Sequence, residues 1–157
     1  MKSLLKDKNV RTEIIFKSES QVSEKVIEFA KARRLEPITE VPFLGRSIDI
    51  VWQWKNGTIT AVEVKKRGYD IERAIHQAKF CLLGAHRVYI CIPNTDINDS
   101  KTDMLKGLGI GLILVKHNDN NGFYLNYVIG SRPNSLRNKE FTKLLRKHIS
   151  EVKETVL

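Results

Sequence analysis

Gly45-Arg46-Ser47-Ile48-Asp49-Ile50-Val51-Trp52, followed by Ala61-Val62-Glu63-Val64-Lys65, is the stretch on which the reading of this chain turns. Two strand-like runs, Ser47 to Trp54 and Thr58 to Lys65, flank Lys55-Asn56-Gly57, and each carries an acid among apolar residues. Charges there are costly to bury unless paired or bound to a cation. Side chains alternate along a strand, so Glu63 and Lys65 point one way and Val64 the other. Loop length decides whether Asp49 joins them. A two-residue Asn56-Gly57 turn sets Asp49 opposite Val64 and sends the carboxylates to opposite faces. A three-residue loop with Gly57 in the left-handed position pairs Trp54 with Thr58 and Asp49 with Glu63. Ile48, Ile50, Trp52, Val62 and Val64 then share the other face, so the apolar pattern favours this register. The expectation is a hairpin holding two carboxylates roughly 5 Å apart.

Upstream, Ser18 with Gln21 forms a capping box that opens a helix to about Arg34, its apolar stripe being Val22, Val26, Phe29 and Ala30 with Ile27 at the margin. Pro37 and Pro42 bracket an extended piece, Ile38 to Val41. Downstream, Tyr69 to Leu83 has helical spacing with Gly84 as its stop. Val88 to Ile92 reads as a buried strand, and a short helix starts at Asp99 or Ser100 and stops near Gly107. Ile110 to Val115 and Phe123 to Ile129 read as further strands, the second following a turn at 118–122. Ser131 to Ser135 is the linker candidate, and a final amphipathic helix over about 138–155 carries Phe141, Leu144, Leu145, Ile149 and Val152. Continuous apolar strands alternating with helices predict an α/β fold with a sheet covered on both faces.

The 157 residues fit one domain, with a core of about 18–130 and the C-terminal helix packed on it or free to dock a partner. Hydrophobic residues at 41% exclude a wholly disordered chain. Apolar runs such as Gly109 to Val115 fall far short of the ~20 residues of a membrane span. Charges in Met1 to Lys8 stand where a secretory signal would be apolar, which gives a cytoplasmic expectation. A net charge of +9 favours a polyanionic partner. Cys81 and Cys91 sit in apolar runs without a CxxC motif and read as reduced core thiols; the four histidines form no cluster.

Facing carboxylates suit a hard divalent cation, since Mg²⁺ is usually held by one or two of them, with water and phosphate completing its shell. A lysine beside them can orient water or offset developing charge. The alternative is a buried ion pair of Asp49 or Glu63 with Lys65. These residues resemble the PD-(D/E)XK nuclease superfamily, restriction-endonuclease-like, in its resolvase and RecB branch. Asp49 matches the motif Asp and Glu63-Val64-Lys65 the (D/E)xK, while Gln77 matches the helix glutamine; Ile48 stands where the family pattern has Pro. The resemblance covers about Val22 to Val115.

That resemblance implies a three-layer core, a mixed central sheet flanked by helices, with a C-terminal strand and helix appended. It implies a Mg²⁺-dependent nuclease, with Mn²⁺ as substitute, that hydrolyses phosphodiester bonds of DNA. Asp49, Glu63 and the Val64 backbone carbonyl would hold the metal, Lys65 would position water, and Gln77 would orient Lys65 or a phosphate. For the helix-one acid of the family pattern, Glu24 is chosen over Glu19 and Glu28. Lys66, Arg67 and Arg73 would hold flanking phosphates, or form a solvated face. Two other readings remain: a nuclease-fold module that binds nucleic acid without cutting, and a protein-interaction subunit, possible as a homodimer through the C-terminal helix.

Overall fold

The computed structural model describes residues 18–66, 70–93, 97–117 and 122–156. The basic lead, Arg67, Tyr69 and most of the 118–122 turn lie outside them. Alternation and apolar runs give β1 (Ile38–Phe43), β2 (Arg46–Gln53), β3 (Ile59–Val64), β4 (Arg87–Pro93), β5 (Gly111–His117) and β6 (Phe123–Ile129). The helices are α1 (Glu19–Ala32), α2 (Ile71–Cys81), α3 (Asp99–Leu108) and α4 (Lys139–Val156). The strands join in chain order into one mixed sheet. Pairs β1–β2, β2–β3 and β5–β6 are antiparallel, while β3–β4 and β4–β5 are parallel across helical crossovers.

Both faces are covered, giving the expected α/β layering. Val22, Val26 and Ala30 of α1 pack on Ile50, Trp52, Val62 and Val64. Ala74, Ile75 and Ala78 of α2, Leu105 of α3, and Leu145 and Ile149 of α4 fill the opposite face. The capping box is present: Ser18 Oγ accepts the Gln21 amide, and Gln21 Oε1 accepts the Ser18 amide. At the far end of α1, Arg34 takes the left-handed position (φ 60°), with its amide bonded to Lys31 O and the Leu35 amide to Ala30 O. That is a Schellman ending without the usual glycine.

The hairpin adopts the three-residue loop. Trp54 N donates to Thr58 O and Gly57 N to Trp54 O, both at 2.9 Å, with Gly57 at φ 87°. Ile50 pairs with Val62 and Gln53 with Ile59, a register that places Asp49 across from Glu63.

One part of the face assignment changes. Ile48 packs in the α2 core rather than beside Ile50 under α1. The cause is a kink shared by β1 and β2. Their register runs from Ile38–Val51 to Phe43–Arg46 but skips the Glu40–Asp49 rung, where Glu40 has φ 53°. Beyond it both strands change parity, so Ile38, Val41 and Phe43 all reach one core.

The linker candidate is pinned instead of loose. Val88 N donates to Ser131 Oγ, Arg132 N to Gly109 O, and Asn134 Nδ2 to the Leu82 and Ala85 carbonyls. Gly84 serves close packing and not a left-handed stop, because a Cβ there would sit 2.6 Å from Phe43 Cζ. The apolar stripe of α4 lies along β1 and is spent on the sheet. Among the described residues no helix is long and apolar enough to cross a membrane.

Candidate active site

The kink that removes a ladder rung frees the Asp49 carboxylate. Asp49 Oδ2 accepts the Val64 amide at 2.7 Å, in the place a backbone carbonyl of β2 would take. The next amide, Lys65 N, turns the other way and donates to Cys91 O on β4 at 3.0 Å. The Val64 amide and carbonyl leave an extended backbone on the same side. The carbonyl therefore shares the Asp49 edge.

Glu63, only 5% exposed, reaches the same point from β3. The two carboxyls line one cleft and influence each other electrostatically. Burial is the main cause that pushes both upward, and the Asp49 charge adds to it for Glu63, which is lifted to about 8. For Asp49 the Val64 amide partly offsets burial. Burial thus favours the protonated form of the pair, most strongly at Glu63. Cys81 Sγ donates to Glu63 Oε1 at 3.4 Å, and burial keeps that thiol protonated. Cys91 is a core thiol, as its apolar setting suggested.

A cleft of about 240 Å³ opens over the pair. Lys65 and Gln77 line it with Asp49 and Glu63. Lys65 Nζ stands 3.7 Å from Glu19 Oε1, and Gln77 Oε1 is buried without a partner among the described residues. The structure brings some of the expected site residues to this cleft and leaves others away from it. The helix-one acid at the cleft is Glu19, whereas Glu24 is exposed away from it. Glu24 lies midway between Val22 and Val26, about 200° round the helix from each, so sheet packing turns it outward. Lys66 and Arg73 are exposed and outside the cleft lining; Arg67 lies outside the described residues.

Arg46 was missed. Its guanidinium sits 4.0 Å over the Phe80 ring at the cleft. Simple alternation sends Arg46 away from Asp49, and the parity change at the kink brings it back. Cys81 was read only as core, although it stands one helical turn after Gln77 on the face that meets Glu63.

Among the described residues, no group of three or more His, Cys, Asp or Glu gathers in a way that could hold a metal ion. Two carboxylates and a carbonyl are nonetheless an all-oxygen donor set that suits Mg²⁺.

No protein-family model and no curated protein matches the chain. Solved structures with a similar fold include a protein of unknown function from Silicibacter pomeroyi, at TM-score 0.59 and 15% identity over 86% of each chain. A repair endonuclease from Pyrococcus abyssi superposes at TM-score 0.50 and 21% identity, over 60% of this chain and 45% of its own. The likeness is one of fold, and it spans less than half of that endonuclease.

Proposed function

We propose that the protein is a Mg²⁺-dependent nuclease acting on phosphodiester bonds of DNA. The observation that carries the reading is the pairing of half-buried Asp49 with buried Glu63, with Lys65 beside them in an open cleft. The fold shared with a repair endonuclease agrees with it. Asp49, Glu63 and the Val64 carbonyl would hold the cation, and Mn²⁺ would substitute. When bound, such an ion lowers the pKa of a coordinated water and offsets charge growing on the scissile phosphate.

The chain's own groups supply the rest. Lys65, steadied by Glu19, holds the attacking water or a phosphate oxygen in line. Gln77 has an unpaired amide oxygen with which to hold the Lys65 ammonium or a water. Arg46, over the Phe80 ring at the cleft, would serve as a phosphate fork. Cys81 holds one oxygen of Glu63, Oε1, and the other would serve the ion.

The test is incubation with linear, nicked, branched and single-stranded DNA in Mg²⁺, Mn²⁺ or EDTA. Metal-dependent cleavage that disappears in Asp49→Asn is the expected result. Binding without cleavage in every metal would leave a silent nucleic-acid-binding module instead.

A further inference from the structure

A second cavity, of about 440 Å³, opens on the α1 face at the turn end of the β2–β3 hairpin. Five rings line it: Phe29, Trp52, Trp54, Tyr89 and Tyr127. Arg33 and Arg87 stand in the same wall. It shares no lining residue with the carboxylate cleft. Trp54 lies five residues along an extended strand from Asp49, about 17 Å at a rise of ~3.4 Å per residue.

The rings are held in place yet left open. Trp54 is 41% and Tyr127 39% exposed. The Trp54 indole N–H donates to Thr60 Oγ1 at 3.0 Å, which fixes its plane. Tyr127 packs edge-on against Tyr89 at 5.4 Å and tilted against Phe29 at 5.5 Å, and the Arg33 guanidinium lies 3.4 Å over the Phe29 ring. Trp52 is 2% exposed, and its indole N–H has no acceptor among the described residues. An orphaned buried donor is costly, and an acceptor on a bound molecule would satisfy it.

The ligand these groups suit is planar and carries negative charge. Fixed aromatic faces stack any base, and guanidinium groups take phosphate. The volume falls within the range of small-molecule sites. A neighbouring hollow shares Arg33, Trp54 and Asn56 and adds Arg34, Lys55 and Lys153, a cationic strip beside the mouth. Its one acid, Glu36, is paired with Lys153 at 3.3 Å. A duplex keeps its base faces stacked internally, so the base received here is unpaired. The geometry points to a binding pocket for a nucleotide of a single strand, its base among Trp54 and Tyr127 and its neighbouring phosphates on Arg33, Arg34 and Lys55. The pocket stands on its own lining; only its service to cleavage rests on the nuclease reading.

Both tryptophans of the chain line this cavity, so intrinsic fluorescence reports on it directly. The experiment titrates the full chain, in EDTA, with a single strand of about eight nucleotides, within known site sizes. A blunt duplex of the same sequence and adenosine monophosphate are the parallel arms. Saturable quenching by the single strand, tighter than either other arm, is expected. Anisotropy of a labelled strand should show Trp54→Ala and Tyr127→Ala each weakening binding by roughly 5- to 100-fold, the range for one stacked base. Trp54→Phe should restore most of it, with circular dichroism confirming that each variant folds. Absence of quenching, equal losses on duplex and single strand, or mononucleotide binding as tight as the strand would overturn the proposal. Because EDTA excludes turnover, a chain that binds here but cuts nothing sinks the nuclease reading alone. One that cuts without binding here sinks the pocket alone.

Discussion

The amide of Val64 is bonded to the side chain of Asp49, at 2.7 Å, where a rung of the β2–β3 ladder would otherwise continue. The strands part at that point, and the opening is the cleft. Catalytic proposal and hairpin geometry therefore depend on one hydrogen bond, which gives the first prediction.

Asp49→Asn and Glu63→Gln should each lower metal-dependent cleavage by about 100-fold or more, as should Lys65→Ala. The two acid variants should also lose Mn²⁺ affinity, read by calorimetry. Unchanged metal titrations in both would defeat the coordination proposal whatever happens to the rate.

Stability without metal should depend on pH through Glu63. Its folded value of about 8 lies above the ordinary carboxylate range, so the folded chain keeps a proton that the unfolded chain gives up near pH 4 to 5. The stabilising contribution is complete below that lower value and is lost as pH rises through about 8. Melting in EDTA should fall between about pH 5 and pH 9, and Glu63→Gln should flatten the fall and raise Tm at the alkaline end. Mg²⁺ should restore more at high pH than at low, because its binding displaces the proton.

The two helix-one glutamates should separate cleanly. Glu19→Gln removes the partner 3.7 Å from Lys65 and should slow cleavage about 10-fold, within the reach of a positioning effect. Glu24→Gln, on the exposed side of α1, should leave the rate within twofold. Single-turnover assays on one substrate decide it, and a reversed order would defeat the placement of Glu19.

Salt should distinguish the cations. Each phosphate contact contributes a slope of roughly −0.9 in log K against log salt on duplex DNA. Arg46→Ala should flatten the slope by one such unit and also lower the saturated rate. Lys66→Ala and Arg73→Ala, outside the cleft, should flatten the slope and leave the saturated rate alone. A rate loss for Arg73→Ala equal to that for Arg46→Ala would count against this division.

Arg34 offers a stability test that no contact inventory suggests. It occupies a left-handed conformation at φ 60°, where a side chain costs about 1 kcal/mol relative to glycine. Arg34→Gly should therefore raise stability by about that amount in urea unfolding.

The hairpin was legible because two independent signals agree. Gly57 suits the left-handed loop position, and the apolar alternation of Ile50, Trp52, Val62 and Val64 selects the same register. The start of α1 was legible from Ser18 and Gln21, since capping is a local exchange of hydrogen bonds. Glu40 gave no such warning. A glutamate at φ 53° has no compositional mark, and the kink it makes redirects Ile48 and Arg46. Strand alternation was extrapolated through the point where it fails. Glu24 was chosen by nearness to the helix start, while the phase set by Val22 and Val26 places it outside. Ser131 to Ser135 has loop composition, and composition does not show that Ser131 and Asn134 would find partners over 40 residues away.

Those distant partners bear on when the cleft becomes complete. Asn134 holds the carbonyls of Leu82 and Ala85, Asn138 N donates to Leu83 O, and Thr142 Oγ1 donates to Gly84 O at 2.8 Å. All four acceptors follow directly on α2, the helix that presents Gln77, Phe80 and Cys81 to the carboxylates. During synthesis the residues of β2, β3 and α2 leave the ribosome well before this clasp is made. A nascent chain thus carries the acids and the lysine while the wall facing them is still untethered. Contacts of such long sequence separation form late, after their loop entropy has been overcome. On the nuclease proposal, competence then arrives with the last docking step rather than with the chemistry-bearing residues, a delay between making the acids and arming them.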